Sequence, residues 1–540
     1  MLRRTTLSLS IAMASAFASA APKDVSIALL PIGTYASGAF AAGAAEIVAH
    51  DPQTQTLFVI NAADKTVDIL DLSDPTQPSL LSTIDVALEI PASGGINSVA
   101  VHDGLVAIAV ENDDKQANGW VAFYDTAGHY LNHVEAGALP DMVTFTHNGN
   151  YVLLANEGEP SSDYQTDPEG SVTIVDVSNG ALSAIAVSAG FSDFNNMDLT
   201  GIRISGPGAS VAEDLEPEYI ATSHDSRTAW VTLQENNAIA EIDIRSATVT
   251  SIRSLGTKNY NTPGFGLDGS DRDSGINIKN WPIRGLYMPD GIAAYETKGR
   301  TFLITANEGD AREYINSTTA ANCPTLPFFS YSGGNCTYLD EARISSLDLD
   351  NTLFPAPLEA TLKNNANIGR LKIVRTEGNP DHDGDYEQLF TYGTRSISIW
   401  DESGAQVYDS GDTLERMTAL ADPANFNSSH DANNSFDTRS DDKGPEPEGV
   451  TVGKVRGNLY AFVGLERVGG VAVFDVTEPA ATKFVSYTNN RDFSVGDVSA
   501  EYAGDLGPEG ILFIKAEDSP TGAPLLVLGN EISGTTTVYS

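Results

Sequence analysis

One pattern governs the chain, and it is clearest in GPEPEGVTVGKVRGNLYAFVGLERVGGVAVFD, residues 444–475. A Pro-Glu-Gly entry leads into a strand, a polar turn, a second strand, a charged corner at Leu465-Glu466-Arg467, a glycine pair and a third strand. The second and third strands recur at 57–71, 107–125, 151–176, 229–243, 301–313, 387–401 and 525–539, which gives eight copies. The entry recurs as Pro140-Asp141, Pro217-Glu218, Pro289-Asp290, Pro447-Glu448 and Pro508-Glu509. Strand-rich, helix-poor repeats of this period predict an all-β fold, a single β-propeller with one four-stranded sheet per blade. The repeat count predicts eight blades, with seven as the alternative. The lone strand Val25–Tyr35 is expected to join the last repeat and close the ring, which removes two open sheet edges.

Eight repeats leave about 65 residues each, against ~40–45 for a minimal blade. The surplus therefore sits in loops. The turns between inner and second strands are short and polar, as in His147-Asn148-Gly149-Asn150 and His224-Asp225-Ser226-Arg227, and read as hairpin chemistry. The long insertions, among them 256–288, 310–343 and 410–446, fall on the opposite face. A ring with one trim and one elaborated face is expected to work through the elaborated one.

Residues 1–20 read as a secretory signal: Arg3 and Arg4, an apolar run Leu7–Phe17, then Ala18-Ser19-Ala20. The run is too short to span a bilayer. The expected mature unit is a propeller over 21–540, exported to a periplasm or the extracellular space, and monomeric. A formal net charge of −42 sets the surface against nucleic acid and anionic lipid. Cys323 and Cys336, the two cysteines, lie in one insertion of an exported chain and read as a local disulfide.

In an antiparallel hairpin the start of one strand sits beside the end of its partner. Each acidic entry should therefore meet its own blade's second-strand corner: Asp141 with Asn156-Glu157, Glu218 with Glu235-Asn236, Asp290 with Asn307-Glu308 and Asp310, Glu448 with Glu466, Glu509 with Asn530-Glu531. Carboxylates and amides then converge on one channel mouth, where oxygen-only donors suit Ca²⁺ or another hard divalent ion. Asp290, Glu308, Asp310, Glu448, Glu466 and Glu509 are the candidate ligands there. Arg312, Arg395 and Arg467, with Arg370, are candidate phosphate binders on the same mouth, an arrangement suited to phosphoryl chemistry. Asp381, Asp383, Asp385 and Glu387 alternate as in a calcium loop that lacks the usual glycine, and are expected on the trim face as a structural Ca²⁺ site. Serine-triad order, zinc spacing and phosphate-cradling glycine loops do not occur.

Several stretches together resemble the choice-of-anchor I family: 206–221, 280–296, 305–314, 383–401 and 440–452 with 461–476. That group includes mesenchyme-specific cell-surface glycoproteins and bacterial proteins described as atypical alkaline phosphatases. The resemblance implies a propeller, export and calcium association. Two functions follow as expectations. One is a metal-dependent phosphoesterase acting on small phosphorylated substrates, with a metal-bound water as nucleophile. The other is a non-catalytic calcium-binding propeller for adhesion, matrix or mineral contact.

Overall fold

The computed structural model describes residues 27–500 and 502–540. The expected leader and the start of the strand expected from Val25 lie outside these residues. Seven four-stranded antiparallel sheets account for most of the strands described. In chain order their inner strands are Val48–Asp51, Ser93–His102, Pro140–Phe145, Pro217–Thr222, Ile292–Thr297, Pro447–Val455 and Pro508–Ile514. Within each sheet the second strand is almost wholly buried, as in Thr56–Asn61 and Leu525–Asn530, while the outer strand is exposed, as in Ser79–Asp85. This gradient is what a β-propeller requires, since each sheet is covered on both faces near the axis and meets water at the rim.

Successive sheets share apolar clusters. Phe58 and Ile60 of the first pack with Ile108 and Val110 of the second. Leu153 and Ile174 of the third pack with Val231 and Ile242 of the fourth. Ile304 and Ile399 of the fifth pack with Val463 and Phe474 of the sixth. The last sheet returns to the first, with Val527 and Val538 against Leu57 and Val59. Pro31–Ala36 pairs antiparallel with Thr535–Tyr539 as the outer strand of the seventh sheet, with Ala36 opposite Thr535. The N-terminal strand is thus used as the sequence led us to expect.

The repeats at 301–313 and 387–401, read as two blades, lie in one sheet. Arg300–Asn307 pairs directly with Ser396–Asp401, Asn307 opposite Ser396. Residues 308–395 form an insertion between the second and third strands of that sheet. Part of 387–401 resembles a second strand in sequence, but Phe390–Thr391 instead pairs parallel with Arg284–Leu286. An insertion with strands of its own mimicked a further repeat. The same fact moves the Asp381–Glu387 loop from the trim face into this corner insertion. The insertion also holds the hairpin Glu313–Ser317, Phe329–Ser332 and Asn335–Leu339, closed by a Cys323–Cys336 disulfide with Cα atoms 5.4 Å apart. Tyr164 of the third sheet's corner loop packs edge-on against Tyr314 and Tyr338 of that hairpin, at 5.1 and 5.3 Å. No helix among the described residues is long and apolar enough to cross a membrane.

Candidate functional site

The acidic entries sit in bulges. Pro140 lies opposite Asn156, yet Met142 lies opposite Ala155, so Asp141 is the extra residue. The register slips in the same way after Pro217, Pro447 and Pro508, which frees Glu218, Glu448 and Glu509 from the ladder. A bulge re-aims a side chain that would otherwise point into a neighbouring sheet. Here it turns one acidic residue per inner strand toward the mouth. The second sheet carries Asn97 in its bulge instead, and its amide donates to the Pro140 carbonyl at 3.1 Å.

The glycine after the acid explains how close the inner strands come. A β-carbon on Gly291 would stand 2.4 Å from the Glu448 carbonyl oxygen, and one on Gly510 would stand 2.4 Å from that of Glu46. Glu46 therefore takes the entry position of the first sheet. No proline precedes Glu46, so it lacks the entry pattern, and its position just ahead of an inner strand is the one signal it carries.

The carboxylates meet in groups whose oxygens all lie within 4.8 Å of one another: Asp141, Glu157 and Glu218; Asp290, Glu308 and Glu448; Glu46, Glu509 and Glu531; and Glu308, Glu446 and Glu466. The asparagines at the corners do not join them. Asn156 donates to Thr173 Oγ1 at 3.0 Å and Asn307 to Ser398 Oγ at 2.9 Å, so these amides brace the third strands from within. The expected convergence holds for the acids and fails for these amides.

Ion pairs compensate charge most densely around Glu308, Glu446 and Glu466. Lys443 Nζ lies 2.6 Å from Glu308, 3.3 Å from Asp310 and 3.3 Å from Glu446. Arg439 reaches Glu446 at 2.7 Å, and Arg467 Nε lies 3.0 Å from both Glu446 and Glu466. Burial alone would raise Glu446, but these three cations draw it down to about 2. Among the described residues no lysine, arginine or histidine pairs with Asp141, Glu157 or Glu218. Burial first, then the neighbouring carboxylates, pushes Glu157 and Glu218 well above the usual range. The same causes bring Asp141 to about 6 and Glu46 to about 8. Lys443 and Arg439 come from the 410–446 insertion and carry no repeat signature, so no spacing in the sequence marks them.

Three of the candidate phosphate-binding arginines are committed to other partners. Arg395 is buried, donating from Nη1 to Glu415 at 2.6 Å and to the Asp268 carbonyl at 2.6 Å, and from Nη2 to the Ser440 and Asp442 carbonyls. Arg312 is buried against Glu216 and the Asp214 carbonyl. Arg370 is held by Asp271 and Asp441. Arg467 borders the mouth, with His430 against its Nη1 at 2.7 Å. In the Asp381–Glu387 loop, Asp383 N donates to Asp381 at 3.3 Å and Asp385 N to Asp383 at 3.1 Å. Oδ1 of Asn379, Oδ1 of Asp385 and Oε2 of Glu387 are buried there without a partner.

A family model described as "Choice-of-anchor I domain" matches residues 46–479. The chain is 28% identical over 322 residues to "Mesenchyme-specific cell surface glycoprotein" of Strongylocentrotus purpuratus, covering 56% of this chain and 39% of that protein. It is 30% identical over 194 residues to "Gigasin-3a" of Magallana gigas, covering 33% of this chain and 66% of that one. The matches thus span under two thirds of either relative. Among solved structures, "Kuenenia stuttgartiensis Hydrazine Synthase" matches with a TM-score of 0.44 and 12% identity over 92% of this chain and 95% of that one. The Cps50 (Swd1) β-propeller domain of Myceliophteria thermophila matches with a TM-score of 0.41 and 10% identity over 95% of this chain and 99% of that one.

Proposed function

As the chain belongs to the choice-of-anchor I family, we propose that it is an exported, seven-bladed β-propeller, closed by its N-terminal strand, that binds divalent cations at its channel mouth. The ion is calcium, because the donors are carboxylate oxygens. The mouth serves contact with a surface or matrix partner rather than catalysis. The observation that carries this reading is the unneutralised trio Asp141, Glu157 and Glu218, whose oxygens lie within 4.8 Å of one another. Like charges so close either hold protons or need a cation. The name of the Strongylocentrotus purpuratus relative sets that protein at a cell surface, which agrees with export.

The ligand set differs from the one the sequence favoured. Glu308, Asp310 and Glu466 already have basic partners, so the cation belongs with Asp141, Glu157 and Glu218. A second, structural calcium fits the Asp381–Glu387 loop, where the unpartnered oxygens of Asn379, Asp385 and Glu387 support it. A phosphoesterase would need the arginines to share one anion. Arg312 and Arg395 are closed in by acids and carbonyls, so that reading has the weaker support.

The test is to strip the purified mature protein of metal, refill it with Ca²⁺, and follow both its melting temperature and its hydrolysis of a chromogenic phosphomonoester. A calcium-dependent rise in melting temperature without turnover is the expected result. Calcium-dependent turnover would overturn the non-catalytic reading.

A further inference from the structure

The face opposite the mouth carries a second grouping of metal-ligating side chains. His147 lies in the turn between inner and second strands of the third sheet, and His224 in the equivalent turn of the fourth. Glu296 lies near the end of the fifth sheet's inner strand. With Thr222 and Tyr295 these residues line a cavity of about 210 Å³. The two imidazole rings have centroids 5.2 Å apart with planes at 77°. Two imidazoles bonded at ~2.0–2.1 Å to one tetrahedral ion would have ring centres about 5 Å apart.

The turns do not need these histidines. Thr146 and Asn148 hold the first turn through their own side chains, and Ser223 and Asp225 hold the second. His147 instead places Nδ1 3.3 Å from Thr222 Oγ1. With Nδ1–H donated to that hydroxyl, the Nε2 lone pair is free to bind a metal, the usual way an outer partner orients a histidine ligand. His102 Nε2 lies 3.4 Å from the His147 carbonyl oxygen.

We propose that His147, His224 and Glu296 form a binding site for a borderline divalent metal ion such as Zn²⁺, with a position left open to water in the cavity. Nitrogen donors set this site apart from the all-oxygen mouth, which favours harder ions. The test titrates the metal-stripped full chain with Zn²⁺ alone by calorimetry, and with Co²⁺ by visible absorption. The expected result is one equivalent bound, with His147→Asn and His224→Ala each weakening it at least ~100-fold and Glu296→Gln about 10-fold. Asp497→Asn, in an exposed loop, should leave it unchanged, and excess Ca²⁺ should not displace it. His147→Asn keeps a residue suited to the turn, so a folded variant is assured a reading. Zn²⁺ affinity unaltered in both histidine variants, or displacement of Zn²⁺ by Ca²⁺, would overturn the proposal.

Discussion

A β-carbon built on Gly449 would stand 2.1 Å from the backbone carbonyl oxygen of Glu509. The glycine of one sheet's entry thus packs directly on the acidic residue of the next, and this contact holds adjacent inner strands at the mouth. Gly449→Ala should force the sixth and seventh sheets apart there and cost about 2 kcal/mol. Gly496→Ala, where a β-carbon meets nothing within 4 Å, should fall within about 0.5 kcal/mol of wild type. Urea unfolding of both variants measures the difference.

Glu218 is half-buried, with Glu157, Glu235, Asp141 and Asp290 as its charged neighbours. Without metal, Glu218→Gln removes one member of a repelling set and should raise the melting temperature. With saturating Ca²⁺ the order should reverse, because wild type gains about 2.7 kcal/mol at one hundred times Kd and the variant gains little. Differential scanning calorimetry with chelator and with Ca²⁺ would show the crossing. A variant less stable than wild type under both conditions would mean that the carboxylate is structural.

Glu446 titrates at about 2, well below the ordinary glutamate range, because Lys443, Arg439 and Arg467 surround it and outweigh its burial. A depressed folded-state value gives stability that is present above the unfolded pKa of about 4.3 and is lost as pH falls toward about 2. That contribution is about 3 kcal/mol at pH 7. Glu446→Gln should therefore be clearly less stable than wild type at pH 7, and the gap should narrow between pH 4.5 and 2. Denaturant midpoints measured across that range are the check.

Arg395 neutralises Glu415 in the interior, at 2.6 Å. Arg395→Ala would leave that carboxylate buried and unpaired, and should destabilise the protein by about 3–5 kcal/mol. Refolded at low temperature, the variant should retain wild-type Ca²⁺ stoichiometry. Arg467→Ala should instead alter Ca²⁺ affinity, since it exposes Glu466 beside the mouth.

What the sequence disclosed followed from local pattern. Proline before an acid, with a strand behind it, marked Asp141, Glu218, Glu448 and Glu509 as mouth residues, and the bulges at those prolines are why the pattern is informative. The pairing of Pro31–Ala36 with the last strand was legible because a lone strand and an incomplete sheet complement each other. The neutralised half of the mouth was not legible. Lys443 and Glu446 approach Glu308 only because an insertion folds back over the sixth sheet, and no spacing rule links residues 308 and 443. Arg312 and Arg395 turn to buried acids for a related reason. Arg395 finds Glu415 on the helix Thr413–Ala421, and composition cannot say which charges will be buried together.

The unneutralised mouth carboxylates are proposed to hold a divalent cation. The most direct test is calorimetric titration of the metal-stripped protein with Ca²⁺, comparing wild type with Glu218→Gln and with Asp310→Asn, whose side chain already pairs with Lys443 at 3.3 Å. The account predicts saturable binding to wild type, unchanged in Asp310→Asn and at least ~10-fold weaker in Glu218→Gln. Wild-type protein that takes up no Ca²⁺ at the mouth, or Glu218→Gln binding as tightly as wild type, would contradict it.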